Sequence, residues 1–227
     1  MAMNGIDVSE WQGTVNWSLV RTDFCIIRAG YGRYIAQKDN RFEENYAGCK
    51  TNGIPCGAYW YSYAVTPDEA VREAEVCLEA IRGKQFEYPI YFDVEEQRQF
   101  ALGKSRVSAI IRAFLSTVEK AGYWVGLYIS TNPLNLYIED DIRTRYAVWV
   151  AQYGVSAPTY SGIYGMWQKT STGSISGISG NVDLDECYVD YPSLIREAGL
   201  NGFLRTESKQ ITLTIDGQTY SGTLFRQ

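Results

Sequence analysis

The sequence predicts an α/β fold, a parallel (β/α) barrel of about five regular βα units with a strand-rich closing segment and a C-terminal β-hairpin. Three observations carry this. Short β-branched and aromatic runs alternate with amphipathic ones up to about residue 146, and such alternation implies right-handed βαβ units and a parallel sheet. Beyond that point, strand-like runs follow one another with no long helix between them. The end of the chain then alternates with period two around an Asp-Gly turn. With 227 residues, 45% of them hydrophobic, the chain is long enough to bury one barrel core without staples.

In chain order, "GIDVS" (5–9), "FCIIRAG" (24–30), "CGAYWYSYA" (56–64), "YPIYFDVE" (88–95), "WVGLYIS" (124–130) and "YAVWVAQY" (146–153) read as strands. Helices fall between them at "DNRFEENYAGCKTNG" (39–53), "TPDEAVREAEVCLEAIRG" (66–83) and "SRVSAIIRAFLSTVEKAG" (105–122). The second has a Thr66 cap followed by Pro67 and stops at Gly83; the third runs from a Ser105 cap to Gly122. Along the third, Val107, Ile110, Ile111, Phe114, Leu115 and Val118 keep a helical spacing that marks one buried face. The closing strands are "YGMWQKT" (164–170) and "VDLDECYV" (182–189). In the tail, Ile211, Leu213 and Ile215 alternate, Asp216-Gly217 turns, and Thr219-Tyr220 begins the return. Residues 1–200 are therefore expected to form the barrel and 201–227 a hairpin extension. Two strands alone are marginal, so the hairpin is expected to pack on the barrel or on a partner, with edge-to-edge self-association as one outlet.

Composition removes several function classes. The net charge is −5 with no basic stripe, which argues against nucleic acid and anionic membranes as partners. No run approaches the ~20 apolar residues of a membrane span, and "MAMNGIDVSEWQ" shows no leader pattern. The five cysteines lack metal-type spacing, and Cys25 and Cys56 sit in strand-like runs, so buried thiols are expected rather than a disulfide framework. Histidine is absent. That excludes Ser-His-Asp and Cys-His nucleophile pairs and histidine metal sites, and no metal or cofactor constellation is visible. Proton transfer in an enzyme of this composition falls to carboxylates, tyrosines or lysines. Eighteen tyrosines and six tryptophans offer flat apolar faces with polar tips, suited to sugars as well as to half-wet packing.

The carboxylates then fall into a pattern. Side chains alternate along a strand, so Asp93 and Glu95 share one face, about 6–7 Å apart at Cα. Glu96 takes the other face, with a solvated or helix-capping role. Asp7 ends the first strand, and Asp183 with Asp185 shares a face of the last strand-like run. Active sites of parallel barrels lie at the C-terminal ends of their strands, so acids from separate segments would meet at one mouth. Close carboxylates repel and hold a proton to higher pH, as a glycosidase acid requires.

The segments "GIDVSEWQGTVNW" (5–17), "FCIIRAGYG" (24–32), "GAYWYSYA" (57–64), "PIYFDVE" (89–95), "VWVAQY" (148–153) and "MWQKTSTGSISGISGNVDLD" (166–185) occur in this order. Together they resemble the Chalaropsis-type lysozymes, glycoside hydrolase family 25, over about residues 4–190. The resemblance implies a flattened, TIM-barrel-like fold of five βα units plus three further strands. It also implies an N-acetylmuramidase cleaving the β-1,4 bond between N-acetylmuramic acid and N-acetylglucosamine of peptidoglycan. By position, Glu95 matches the general acid/base and Asp93 its partner, either a nucleophile or a helper that orients the substrate's own N-acetyl oxygen. Asp7 and Asp183 match the remaining active-site acids. Trp60 stands where many members have His, and Asp185 where many have Asn.

Candidate substrate contacts are Tyr59, Tyr61 and Tyr63 on one strand face, with Trp149, Gln152, Trp167 and Gln168 as floor and rim. Arg28 is expected either to pair with an active-site acid or to form a structural salt bridge. Two other readings use the same residues: a non-catalytic carbohydrate-binding barrel, and a phage or mobile-element module that binds a partner through the hairpin. A wall hydrolase acts outside the membrane. The missing leader pattern and the thiols fit an endolysin held in the cytoplasm before release, and a secreted enzyme shorn of its leader fits equally.

Overall fold

The computed structural model describes residues 2–205, 208–216 and 218–225. Eight strands close into a barrel: β1 (Met3–Val8), β2 (Phe24–Tyr31), β3 (Cys56–Tyr61), β4 (Ile90–Asp93), β5 (Val125–Ser130), β6 (Ala147–Ala151), β7 (Met166–Gly173) and β8 (Val182–Cys187). Neighbours from β1 to β7 pair in parallel, whereas β8 runs antiparallel to both β7 and β1. This is the expected barrel: parallel units first, then strands that close it.

The helices are α1 (Phe42–Thr51), α2 (Pro67–Ala80), α3 (Gln97–Phe100), α4 (Lys104–Lys120), α5 (Thr131–Tyr137), α6 (Asp140–Arg145) and α7 (Tyr191–Ala198). Thr66 caps α2 as its sequence indicates, its side chain accepting from the Glu69 N–H at 3.2 Å, with Pro67 in the first turn. Helix α4 differs from expectation at its start: Gly103, at φ 84°, precedes it, and Ser105 lies inside the first turn. The left-handed backbone that glycine tolerates lets the chain turn out of α3 directly into α4. The apolar stripe of α4 is buried throughout, and Phe114 stacks on Phe92 of β4 with ring centroids 3.9 Å apart. The short helices α5, α6 and α7 are not marked by the apolar periodicity of the sequence, because each is too brief to display it.

Strand parity divides the apolar residues into two layers. Outward residues, including Ile6, Ile27, Trp60, Phe92, Leu127, Val148 and Trp167, pack in the layer that carries the helices. Trp60 is fully buried there and donates its indole N–H to the Gly32 carbonyl at 2.9 Å. Its place in the family pattern thus concerns packing outside the barrel. Inward residues form a second, aromatic cluster of Phe24, Tyr88, Tyr91, Tyr128, Trp149 and Tyr191. These rings fill the barrel where strand glycines leave room: a Cβ on Gly5 would sit 2.1 Å from the Phe24 ring, and one on Gly126 2.5 Å from Tyr91. All five cysteines are buried and unpaired.

Strands β9 (Ser208–Ile215) and β10 (Gln218–Phe225) form a separate two-stranded antiparallel sheet. Asp216 enters the turn at φ 51°; Gly217, the other turn residue expected from the sequence, lies outside the described residues. Before the hairpin, Asn201 ties the chain to the barrel base. It is fully buried at φ 56°, a left-handed conformation that asparagine accepts better than most residues. Its amide donates to the Phe86 and Tyr88 carbonyls at 3.0 and 2.8 Å, and its carbonyl accepts from the Trp124 N–H at 2.7 Å. One side chain thereby joins the entries of β4 and β5. Asn201→Ala would strip partners from three backbone groups, two of them buried, and the expected loss in denaturant unfolding is about 3 kcal/mol. A loss below about 1 kcal/mol would show that the base does not depend on these bonds.

Candidate active site

At the C-terminal ends of the parallel strands lies a cavity of about 240 Å³ lined by Asp7, Arg28, Tyr59, Tyr61, Asp93, Glu95, Tyr128, Trp149, Tyr153, Gln168 and Asp183. Every barrel strand supplies it. Asp7 is the penultimate residue of β1, and Asp93 ends β4 with Glu95 two residues beyond on the same face. Because β8 runs the other way, its first residues reach the mouth: Asp183 stands opposite Asp7 in the register and Asp185 opposite Gly5, one inward step deeper. The structure therefore brings Asp7, Asp93, Glu95 and Asp183 together. Asp185, expected to add charge near the mouth, instead sits below it at 0% exposure.

Gln168 organises the acid cluster. Its amide N–H donates to Asp7 Oδ2 at 2.7 Å, while its carbonyl accepts from the Tyr128 and Tyr153 hydroxyls at 2.7 and 2.5 Å. Trp149 forms the floor, with ring centroids 4.5 Å from Tyr128, 5.1 Å from Tyr91 and 6.1 Å from Tyr59, and its indole N–H donates to Asp185 Oδ1 at 2.9 Å. Tyr61 donates its hydroxyl to Glu96 at 2.9 Å. Glu96 begins α3, with Gln99 accepting from its N–H at 3.3 Å. Glu96 holds the capping position expected of it, but its carboxylate is spent on a cavity tyrosine rather than on a helix N–H.

Arg28 lines the cavity, but its guanidinium is taken by Asp39 and Glu10, each at 2.7 Å. Of its two expected roles it fills the structural salt bridge. Gln152 lines a neighbouring cavity of about 450 Å³ with Ser130, Thr131, Asn132, Asn135 and Thr159. Its carbonyl accepts from the Thr131 hydroxyl at 3.0 Å and the Thr159 N–H at 2.7 Å, which pins the loop after β6 to α5. Glu95 and Tyr153 line both cavities and form the wall between them. Two expected contacts fall elsewhere. Trp167 faces outward, one residue out of phase with Gln168, and is buried with its indole N–H donating to the Gln152 carbonyl at 2.8 Å. Tyr63 lies past the end of β3, half-exposed beside Arg33, Glu69 and Arg98. Tyr128 and Tyr153 are the cavity residues that the sequence reading passed over. Tyr128 carried a usable signal, since it shares the inward phase of Gly126 near the end of β5.

Electrostatics follow from crowding acids inside a barrel. Burial, then the Asp185 and Asp183 charges, raise the Asp7 carboxyl well above the usual carboxylate range, against the opposing Gln168 hydrogen bond. Burial and Glu95 do the same to Asp93, with Arg28 opposing. Glu95 is open to solvent, yet desolvation by the surrounding protein and then Asp183 raise it. Burial pushes Asp183 up to about 6. A set of carboxyls that keep protons toward neutral pH, arranged around one cavity, can deliver a proton and take it back.

Residues 6–178 match the pattern of Glycosyl hydrolases family 25. An autolytic lysozyme of Clostridium acetobutylicum is 31% identical over 192 residues, 81% of this chain and 55% of that protein. Among solved structures, the modular autolysin LytC from Streptococcus pneumoniae, in complex with a synthetic peptidoglycan ligand, is similar at TM-score 0.74 and 30% identity, covering 82% of this chain and 47% of that one. A bacterial lysozyme from Streptomyces coelicolor is similar at TM-score 0.74 and 28% identity, covering 86% and 96%. The chain thus spans about half the length of the autolytic lysozyme and of LytC.

Asp183 gives a pH test of this cluster. Its folded pKa, about 6, lies above its unfolded value of 3.8, so the native state keeps a proton that the unfolded chain releases. Stability is therefore lost as pH rises from about 4 to about 6. Asp183→Asn removes that loss, and the expected gain at neutral pH is about 1–2 kcal/mol once partial exposure is allowed for. Thermal unfolding of both proteins across this range checks it; a difference that stays constant with pH would refute the assignment.

Proposed function

The chain belongs to glycosyl hydrolase family 25, and from that premise we propose that it is a peptidoglycan muramidase acting on wall glycan. The observation that carries this reading is the position of Glu95. It stands on the wall shared by two polar cavities, where an acid must lie to protonate the oxygen linking two sugars. In this proposal N-acetylmuramic acid occupies the acid-lined cavity and N-acetylglucosamine the amide-lined one. Glu95 gives its proton to the leaving oxygen and then serves as base toward water. Tyr128 stands beside Glu95 in the acid-lined cavity, with its hydroxyl proton committed to the Gln168 carbonyl.

Asp93 has two possible roles. Direct attack needs an ionised carboxylate, yet burial and the Glu95 charge favour the protonated form. A carboxyl that keeps its proton is a weak nucleophile. This supports Asp93 as the residue that orients the acetamido group of the bound sugar, whose carbonyl oxygen then attacks the anomeric carbon with overall retention. Asp7 and Asp183 hold charge and geometry around it. The bacterial wall is the corresponding place of action. Among the described residues no helix is long and apolar enough to cross a membrane.

Purified peptidoglycan digested with wild type and Glu95→Gln separates this reading from its rivals. New muramic acid reducing ends are expected from wild type, with the rate at least about 10²-fold lower in the variant. Glucosamine ends would indicate another hydrolase, and no release from either protein would favour a binding role. The acetamido mechanism has its own test. Wall de-N-acetylated at muramic acid is expected to be cleaved more slowly by about 10²-fold or more, because the nucleophile is missing. Undiminished cleavage would return direct attack to Asp93.

A further inference from the structure

Below the carboxyls assigned to the reaction lies a fifth acid with no role so far. Asp185 points into the barrel from β8 at 0% exposure. Its Oδ1 accepts from the Trp149 indole, and its Oδ2 is a buried oxygen with no conventional donor. Asp7, two residues along β1 from the Gly5 that pairs with Asp185, is the acid within its reach. Gln168 occupies Asp7 on the other side, through Oδ2, and has no second amide bond for Asp185. Two carboxylates cannot satisfy one another, because each only accepts; with one proton between them, one donates and both are satisfied.

We propose that Asp185 is a positioning residue for Asp7, with one proton held between the two buried carboxyls so that the bond it forms aims Asp7 into the cavity. The surroundings favour holding that proton. From β8 itself Asp183 and the Cys187 thiol face Asp185, and from β1 Asp7. The cation that acts on Asp185 is Lys169 on β7, whose ammonium is already bonded to Glu186 at 2.8 Å. Gln168 and Trp149, from β7 and β6, contribute neutral donors only. Burial raises both carboxyls well above their usual range. Asp7 is thus gripped by Gln168 and by Asp185, and the pair carries one negative charge rather than two.

The proposal rests on the muramidase reading for its catalytic consequence but not for its structure, and two variants exploit this. Asp185→Asn supplies a permanent N–H donor to Asp7, whereas Asp185→Ala supplies none. The native pair keeps a proton that an unfolded aspartate loses above about pH 4. Wild-type stability should therefore fall with rising pH in a way that Asp185→Asn does not share. The melting temperature of Asp185→Asn minus that of wild type is expected to grow from about pH 4 to about pH 8. A difference that does not change with pH overturns the shared proton. In wall digestion Asp185→Asn is expected to outpace Asp185→Ala by about 10-fold or more, and equal rates overturn the positioning role. If wild type itself releases no muramic acid ends, the muramidase reading fails, and the melting comparison still decides whether the proton is shared.

Discussion

The antiparallel insertion of β8 between β7 and β1 is the constraint on which the acid cluster depends. Seven parallel strands can present only their last residues at one mouth. A strand that enters from the mouth presents its first residues there and carries its next inward residue below them. Asp183 thereby faces Asp7 across the ladder, and Asp185 lies opposite Gly5. Turned parallel, the same segment would carry these aspartates away from the mouth. The missing side chain of Gly5 matters for the same reason, since the space beneath is filled by the Phe24 ring.

Burying acids this way is costly, and the barrel limits the cost by neutral means. Gln168 and Trp149 donate to the acids without charge, and Tyr128 and Tyr153 hold Gln168 in place through its carbonyl. The one guanidinium lining the cavity, Arg28, is engaged by Asp39 and Glu10. A free arginine would favour ionisation of Asp93 and Glu95 and drain the site of protons. Anchoring Arg28 outside the acids keeps its influence on Asp93 to a moderate opposing effect. The aromatic plug beneath adds a low-dielectric base, which strengthens both the repulsion and each neutral hydrogen bond.

Much of this was legible in the chain because period-two alternation survives wherever a strand has an interior and an exterior. It placed Asp7, Asp93, Glu95 and Asp183 on inward faces and Tyr59 with Tyr61 on one strand face, and all six line the cavity. Parity also argued against Trp167, one residue from Gln168, but an aromatic side chain invited a sugar-binding role. Tyr63 failed for another reason: β3 ends at Tyr61, and alternation means nothing beyond a strand's end. The partners of Arg28 come from residues 10 and 39, both in loop segments without periodicity. The depth of Asp185 required strand direction, which local sequence does not encode. The start of α4 was misplaced because Ser105 resembles a cap, whereas Gly103 turns the backbone by conformation alone.

The same rule about strand ends separates the two acids of the D-x-E segment. Asp93 is the last residue of β4, paired into the sheet and 3% exposed, with Oδ1 lacking any donor. Glu95 shares its direction but lies beyond the ladder, on a turn leading to α3 and open to solvent. A proton on Asp93 is therefore held in a place where little can exchange it, while one on Glu95 can pass to a bound oxygen and be replenished from water. One intervening residue, Val94, buried on the opposite face, keeps both acids in phase while allowing the strand to end between them. In the proposed mechanism, the division of labour between a fixed carboxyl and a proton-transferring one follows from where the sheet stops.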